Sequence, residues 1–526
     1  MNVHFVEGHT VGIDLGTTFS AIAQLDEQGN PVTIANDDDE VETPSLVLLS
    51  QGGRVIVGPN RMRAAMEDPE RVVERIKRYM GESNFQQQYD GRALTPEFIS
   101  ALILKKLRQD AEKRIGKIGN AVITVPYYFN DARRKATADA GRIAGLNVID
   151  IINEPTAATL TYAWHRHELG AGGAAGGRPR RALVYDLGGG TFDVTVVQYT
   201  PIHFQVLATD GDVHLGGVDW NDRLLDYVAD AFKSRHGIDP RSSPATAQML
   251  RNDCDLAKIE LSERLETAIT CRHAGKSIRV GVTRDRFEAL TADLLQRTAD
   301  TTELVLQQAK VKPGDLDAVV MVGGSTLMPQ VPRTLRKVVG QEPYTGISPH
   351  TSVAQGAAIH AAILEVQHRR AGGLADKVRH MLDSVRQENV NSHGLGVLAT
   401  NPKSGKEVNH LMIPRNTRLP AEVRKVFQTK REGQARVTVQ VLEGDAPDPL
   451  ACSVLGKCVI AGLPPGLPKG SPIEVTYSFD ASGRIAVAAR EKASGRQATI
   501  DIQRRGGLDE HQIDAYTRLA NEYTVE

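Results

Sequence analysis

Two short runs, GIDLGTTFS at 12–20 and DLGGGTFD at 186–193, carry the same order of aspartate, leucine, glycine and threonine, and this repetition constrains the fold more than any other feature. In the first run Val11 and Ile13 alternate with Gly12 and Asp14, the period of a strand. Gly16 follows, where a backbone lacking Cβ approaches an anion closely, and Thr17 and Thr18 add amide and hydroxyl donors for phosphate oxygens. Asp14, at the strand's end, is placed to hold a magnesium ion through water. Alone, such a run also has the pattern of a mere hairpin. Its second copy, after the apolar strand Ala182, Leu183, Val184 and Tyr185, predicts a duplicated fold that clamps one polyphosphate from both sides.

A chain of 526 residues is too long for one core and predicts three or four compact units of roughly 150 residues each. Its formal net charge of -1 gives no electrostatic basis for binding nucleic acid or an anionic membrane. Cys254, Cys271, Cys452 and Cys458 are too sparse for a disulfide framework, and no CxxC or Cys/His cluster points to zinc. The N-terminus lacks the charged and apolar regions of a signal peptide, and no apolar stretch approaches about 18 residues, so a cytoplasmic, soluble protein is expected.

Along the chain, strands are expected at 21–25, 32–35 and 45–49, and a helix at 68–80, with Val72, Val73 and Ile76 on one face and Lys77 beside it. By itself Lys77 reads as a solvated lysine. Thr95 and Pro96 open a long amphipathic helix. A strand at 121–125 breaks at Pro126, a helix covers 131–144, and a strand at 148–152 runs into NEPTAA, with Asn153 and Glu154 where α/β sheets place ligands. A glycine-rich connection at 165–181 separates the halves. Beyond the second run come strands at 194–199 and 203–210, helices at 220–235 and 244–265, a strand at 318–321 entering GGST at 323–326, and a helix at 353–366. The character then changes to a charged helix at 374–385, a polar link at 386–394, and short alternating strands punctuated by turn residues, the pattern of an all-β sandwich. Gly506 and Gly507 end it, and a short helix at 509–523 follows. The expected units are 1–370, 371–394, 395–505 and 506–526.

GIDLGTTFS, ITVPYYFND, NEPTAA, DLGGGTFDV, HLGGVDWN, AKIELS and VGGST stand in the order and spacing of the heat shock protein 70 chaperones, which this chain resembles from about residue 10 onward. The resemblance implies a duplicated α/β ATPase domain of the actin and sugar-kinase type, followed by an all-β sandwich peptide-binding domain. It implies ATP or ADP with magnesium as ligands, and Asp14, Asp186 and Asp193 around the ion and its waters. Gly16, Thr17, Thr18, Phe19, Gly188, Gly189, Gly190 and Thr191 would cradle the phosphates, Glu154 and Asp186 would orient the attacking water, and Lys77 would reach the terminal phosphate. Lys77, Glu154, Asp186 and Thr191 are thus the implied catalytic set. Gly216, Gly217, Asp219, Asp255, Lys258, Ser262, Gly323, Gly324 and Ser325 would surround ribose and base, and Pro126 and Arg134 hold the places of the family's nucleotide switch. Val397, Phe427, Val437 and Val439 fall at cleft-lining positions of the sandwich, with sandwich core as the alternative reading. Implied partners are unfolded or apolar polypeptides, a J-domain co-chaperone and a nucleotide-exchange factor.

This chain departs from the family in places. Asp255 replaces a longer glutamate, and Leu327 replaces an arginine that packs on adenine. Thr400 and Lys430 replace apolar residues arching over the cleft. RQENVNSHG replaces the leucine-rich interdomain run, and the helical lid is reduced to the segment after Gly507. The expectation is therefore an ATP-dependent chaperone with weakened coupling between its domains; the alternative is a nucleotide-gated scaffold that recognises one partner. A metabolite kinase of the same superfamily is disfavoured by the sandwich.

Overall fold

Each copy of the repeated run forms the turn of an antiparallel hairpin inside its own mixed sheet. The computed structural model describes residues 4–50, 53–58, 68–82, 85, 87–89, 91–170, 178–368, 373–388, 390–391, 393–479, 485–501 and 508–526. In the first sheet the strand His9–Asp14 lies parallel to Ile118–Val125, itself parallel to Asn147–Asn153, and antiparallel to Phe19–Leu25. In the second, Arg180–Leu187 lies parallel to Ala318–Val322 and antiparallel to Phe192–Thr200, with Asp186 opposite Asp193. The strands Ile118–Val125 and Arg180–Leu187 are covered on both faces, which is why they read as apolar runs rather than alternations.

The helices Glu154–His165 and Ser352–Gln367 cross between the two sheets. They touch backbone to backbone: a Cβ added to Gly356 would lie 1.9 Å from the carbonyl oxygen of Ala157. The crossing thus requires glycine, and it brings the two hairpin turns to one cleft.

The expected helix at 68–80 is not formed. The chain instead makes a short 3₁₀ turn at Pro69–Arg71, a strand at Val72–Glu74 and a second 3₁₀ turn at Ile76–Tyr79, with Arg75 between them at φ 61°. The strand pairs with Leu46–Leu49 and buries Val73, so the β-branched pair Val72 and Val73 serves a sheet rather than a helix face. The turn after it points Lys77 into the cleft, where it is 5% exposed.

The polar link also differs from expectation. Arg386–Glu388 is a strand, parallel to His203–Asp212, that extends the second sheet by one edge. Gln387 reaches His360 at 2.8 Å, and His360 pairs with Asp150 at 2.7 Å. Tyr127 donates its hydroxyl to the Val390 carbonyl and accepts the Val390 amide at 3.0 Å. Residues 389 and 392 of the link, 171–177 of the glycine-rich connection, and the Gly506–Gly507 pair lie outside the described residues. Tyr127→Phe removes both bonds to Val390, and hydrogen exchange at residues 386–391 is expected to quicken by about tenfold. Unchanged exchange there would show that the strand pairing holds the link without the tyrosine.

The sandwich packs two antiparallel sheets, one of Glu407–Ile413, Leu395–Thr400, Arg436–Glu443 and Ser453–Ala461, the other of Ala421–Gln428, Pro472–Phe479, Ile485–Glu491 and Gln497–Asp501. Ile473, Val475, Tyr477 and Phe479 alternate inward, and the Tyr477 hydroxyl crosses to the Gly396 carbonyl at 2.8 Å. Arg415 and Arg418, on the turn before Ala421–Gln428, reach the second lobe at the Thr209 carbonyl (3.0 Å) and Gln205 (2.7 Å).

The helix Glu510–Glu522, opened by a reciprocal Asp509 and Gln512 cap, packs on the helices Pro96–Ile115 and Asp131–Ile143. Ile513 and Ala520 are buried there, and Tyr516 and Tyr523 approach Phe98 with ring centroids 5.3 and 6.0 Å away. The strand Thr524–Val525 then pairs in parallel with Arg54–Val57. The end of the chain is part of the first lobe's core.

Candidate nucleotide site

Between the lobes lies a cavity of about 490 Å³. Its floor is made by the two hairpin turns meeting face to face. A Cβ on Gly189 would lie 1.8 Å from Thr18 Oγ1, and one on Gly190 would lie 2.3 Å from Thr17 Cγ2, so each turn uses glycines to admit the other's threonines. Gly16, Thr17, Thr18, Phe19, Gly188, Gly189 and Thr191 line the space, and Thr18 Oγ1 is buried without a hydrogen-bond partner among the described residues.

Around this floor the side chains are mostly acids. Glu154, at the start of its helix, meets Lys77 Nζ at 2.5 Å, both about 5% exposed. Thr124 donates to Asp14 at 2.9 Å. Asp186 and Asp193 face each other across the second hairpin, and both Asp193 oxygens are buried without a partner among the described residues. Burial, followed by the neighbouring Glu154 carboxylate, drives Asp186 and Asp193 well above the usual carboxylate range. Burial also raises Asp14, and it pushes Glu154 up to about 7 against the pull of Lys77. Burial opposes the charge on Lys77, but the attraction of Glu154, Asp14 and Asp186 outweighs it and holds the ammonium protonated.

This excess of buried carboxylate, with orphaned oxygens on Asp193, fits a divalent cation. Among the described residues no group of three or more acidic, histidine or cysteine side chains converges to hold a metal directly. The fit is to hydrated magnesium, which keeps its waters and binds through one or two carboxylates.

The other predicted residues divide into a wall and its backing. Asp255, Lys258 and Ser262 line the cavity along one face of the helix Pro244–Glu263, and Asp255 accepts from Asn221 at 2.8 Å and Lys258 at 3.1 Å. Gly323, Gly324 and Ser325 line the same cavity, with Ser325 Oγ donating to the Gly188 carbonyl at 3.0 Å. Gly190, Gly216, Gly217 and Asp219 stand behind the wall: the Gly217 amide donates to Gly188 at 3.0 Å, and the Gly216 amide to Asp219 at 2.8 Å. Pro126 follows the strand Ile118–Val125 of the first sheet and leads to Tyr127. Arg134 binds Asn153 at 2.5 Å and the Ile151 carbonyl at 2.7 Å, one residue from Glu154. In the sandwich, Val397 and Val439 lie inside the core, 4% and 3% exposed, while Phe427 and Val437 are half-buried against it.

Several site residues escaped the sequence reading. Arg78 bridges the lobes by donating to the Gly190 carbonyl at 2.7 Å and to Asp219 at 2.7 Å; its position next to Lys77 was the available signal. Ile259, four residues after Asp255, lines the cavity as Leu327 does, and the two are 53% and 50% exposed. Glu42 and His350 also line the cavity, with no local pattern to mark them.

Residues 10–526 match the family described as Hsp70 protein. The chain belongs to the Hsp70 family. Among similar curated proteins are those called Chaperone protein DnaK from Thermotoga petrophila, Thermotoga neapolitana and Thermotoga maritima, each 40% identical over 522 residues, spanning 98% of this chain and 83% of the relative. Proteins of the Hsp70 family bind ATP or ADP with magnesium, in keeping with the acid-rich cleft and its paired glycine–threonine turns. No helix among the described residues is long and apolar enough to cross a membrane.

Proposed function

We propose that this chain is an ATP-hydrolysing chaperone of the Hsp70 type, acting in the cytoplasm on unfolded or apolar polypeptide with a J-domain co-chaperone and a nucleotide-exchange factor. The observation that carries the reading is the cleft itself, where two glycine–threonine turns face each other beside a buried Lys77–Glu154 pair. Gly16 to Thr18 and Gly188 to Thr191 orient the phosphates with backbone amides and hydroxyls. Lys77 opposes the negative charge that develops as the terminal phosphoryl group transfers. Glu154, poised near 7, and Asp186 orient the attacking water and accept its proton. Asp14, Asp186 and Asp193 would hold hydrated magnesium, which neutralises phosphate charge when bound.

Ile259 and Leu327 are positioned to cover the two faces of adenine with aliphatic carbon. Leu327→Arg adds a cation over the ring and is expected to lower the Kd for ADP by about 2- to 10-fold, read by calorimetric titration. An unchanged Kd would remove Leu327 from the base site.

The sandwich would report the nucleotide state through the edge strand at Arg386–Glu388 and the Tyr127–Val390 bonds. The decisive experiment measures ATP turnover together with the release of a fluorescent apolar peptide in ATP, in ADP and without nucleotide. Release rates that differ between these states support a coupled chaperone; identical affinities and rates in all three would overturn it. The second reading, a nucleotide-gated scaffold for one specific partner, is favoured by the burial of Val397 and Val439 in the sandwich core and by polar Thr400 and Lys430 at the arch. Failure to bind apolar peptides, with capture of a single dominant partner, would support it.

A further inference from the structure

Contacts across the mouth of the nucleotide cleft are made mostly by arginine. Arg78 reaches from the first lobe to Gly190 and Asp219, and Arg75 reaches Asp222 at 3.4 Å. Guanidinium groups stay charged at every working pH. One cross-cleft pair is different: Glu42 Oε2 lies 2.9 Å from His350 Nδ1.

The two residues belong to opposite jaws. Glu42 precedes the short strand Thr43–Pro44, which pairs with Phe19–Leu25 and so moves with the first phosphate turn. His350 is held to the GGST turn of the second lobe. The Gly323 amide donates to the Pro349 carbonyl at 2.9 Å, and a Cβ on Gly324 would lie 2.9 Å from His350 Cε1, so the ring rests directly on that turn. Both side chains line the cavity and are partly exposed, at 25% for Glu42 and 35% for His350, so solvent protons reach them.

We propose that Glu42 and His350 form a titratable clasp across the mouth of the nucleotide cleft, closed when His350 is protonated, that slows release of bound nucleoside diphosphate. This rests on the nucleotide reading above and adds a residue pair that controls exchange. His350 is a positioning residue: it holds the jaws without touching the reacting phosphate.

The groups around the ring set the sign. Glu42 favours the imidazolium and holds His350 above its ordinary value against partial burial. The turn at 323–326 presents Gly324 and no charge, while the N-terminus of the helix Ser352–Gln367 directs a positive dipole end at the histidine and opposes protonation. The acid within ion-pair distance prevails. The clasp is therefore charged at low pH and opens as pH rises through the histidine's raised value.

The test is stopped-flow displacement of a fluorescent ADP analogue from pH 6 to pH 8 in the wild type, Glu42→Gln, His350→Asn and the exchanged double variant Glu42→His/His350→Glu. The wild-type dissociation rate is expected to rise about 2- to 5-fold across this range, the worth of a partly exposed ion pair. Both single variants should release at the fast rate throughout, and the exchanged pair should restore the pH dependence, which a purely structural role would not. Saturable binding with a release rate indifferent to pH and to all three variants overturns the clasp alone. Absence of saturable binding in the wild type overturns the nucleotide reading as well.

Discussion

Lys77→Ala is expected to lose ATP turnover by about 10²- to 10³-fold while still binding nucleotide. The ammonium is buried in the cleft, so its charge acts at low effective dielectric on the phosphoryl group, where an exposed lysine would be screened. Alanine also leaves Glu154 buried with no counter-ion. Its pKa, already about 7 with the lysine present, rises further, and the carboxylate that orients water is protonated at neutral pH. The two losses act on the same step. Binding should persist, because the turns Gly16–Thr18 and Gly188–Thr191 and the base-side wall are untouched. Phosphate release under single-turnover conditions, beside titration of a fluorescent ATP analogue, separates the effects; full turnover in the variant would remove Lys77 from the mechanism.

Ile513→Asp should detach the C-terminal helix from the first lobe. Ile513 is 4% exposed in the apolar cluster of the first lobe, and an aspartate there would bury its carboxylate among apolar side chains. The lost burial and the stranded carboxylate together disfavour docking by about 3–5 kcal/mol. Docking also brings polar contacts, some part-buried, such as Lys105 with the Ala520 carbonyl at 2.6 Å and Lys135 with the Leu508 carbonyl at 2.8 Å, and others at the rim. Arg142 with Glu510 and Arg54 with Glu526 are exposed ion pairs worth little each, so they will not hold the helix alone. The expected signs are faster hydrogen exchange over 510–525, exchange of the Arg54–Val57 strand edge that Thr524 and Val525 cover, and a lower first melting transition. Native exchange in the variant would mean that the helix is held chiefly by its rim.

The paired glycine–threonine turns were legible because each position has a chemical reason to be glycine, threonine or aspartate, and the reason repeats at Asp186. The strand at Val72–Glu74 was not, because Val72, Val73 and Ile76 satisfy a helical spacing over a window too short to exclude a strand. The edge strand Arg386–Glu388 left no apolar trace: it is held by backbone hydrogen bonds, which any sequence without proline can make. The helix at 510–522 was expected after the Gly506–Gly507 pair, but the lobe that receives it was not. Glu42 and His350 lie more than three hundred positions apart, and only the closing of the cleft brings them together.

The two docked ends also change what kind of object the sandwich is. Its entry strand is fixed to the second lobe at Arg386–Glu388 and its exit helix to the first at Glu510–Glu522. Topologically it is an insertion, closed at both ends like the handle of a jug. When one attachment opens, the other keeps the free end at an effective concentration on the order of millimolar near its seat. Letting go is then a local breathing that re-closes by first-order kinetics.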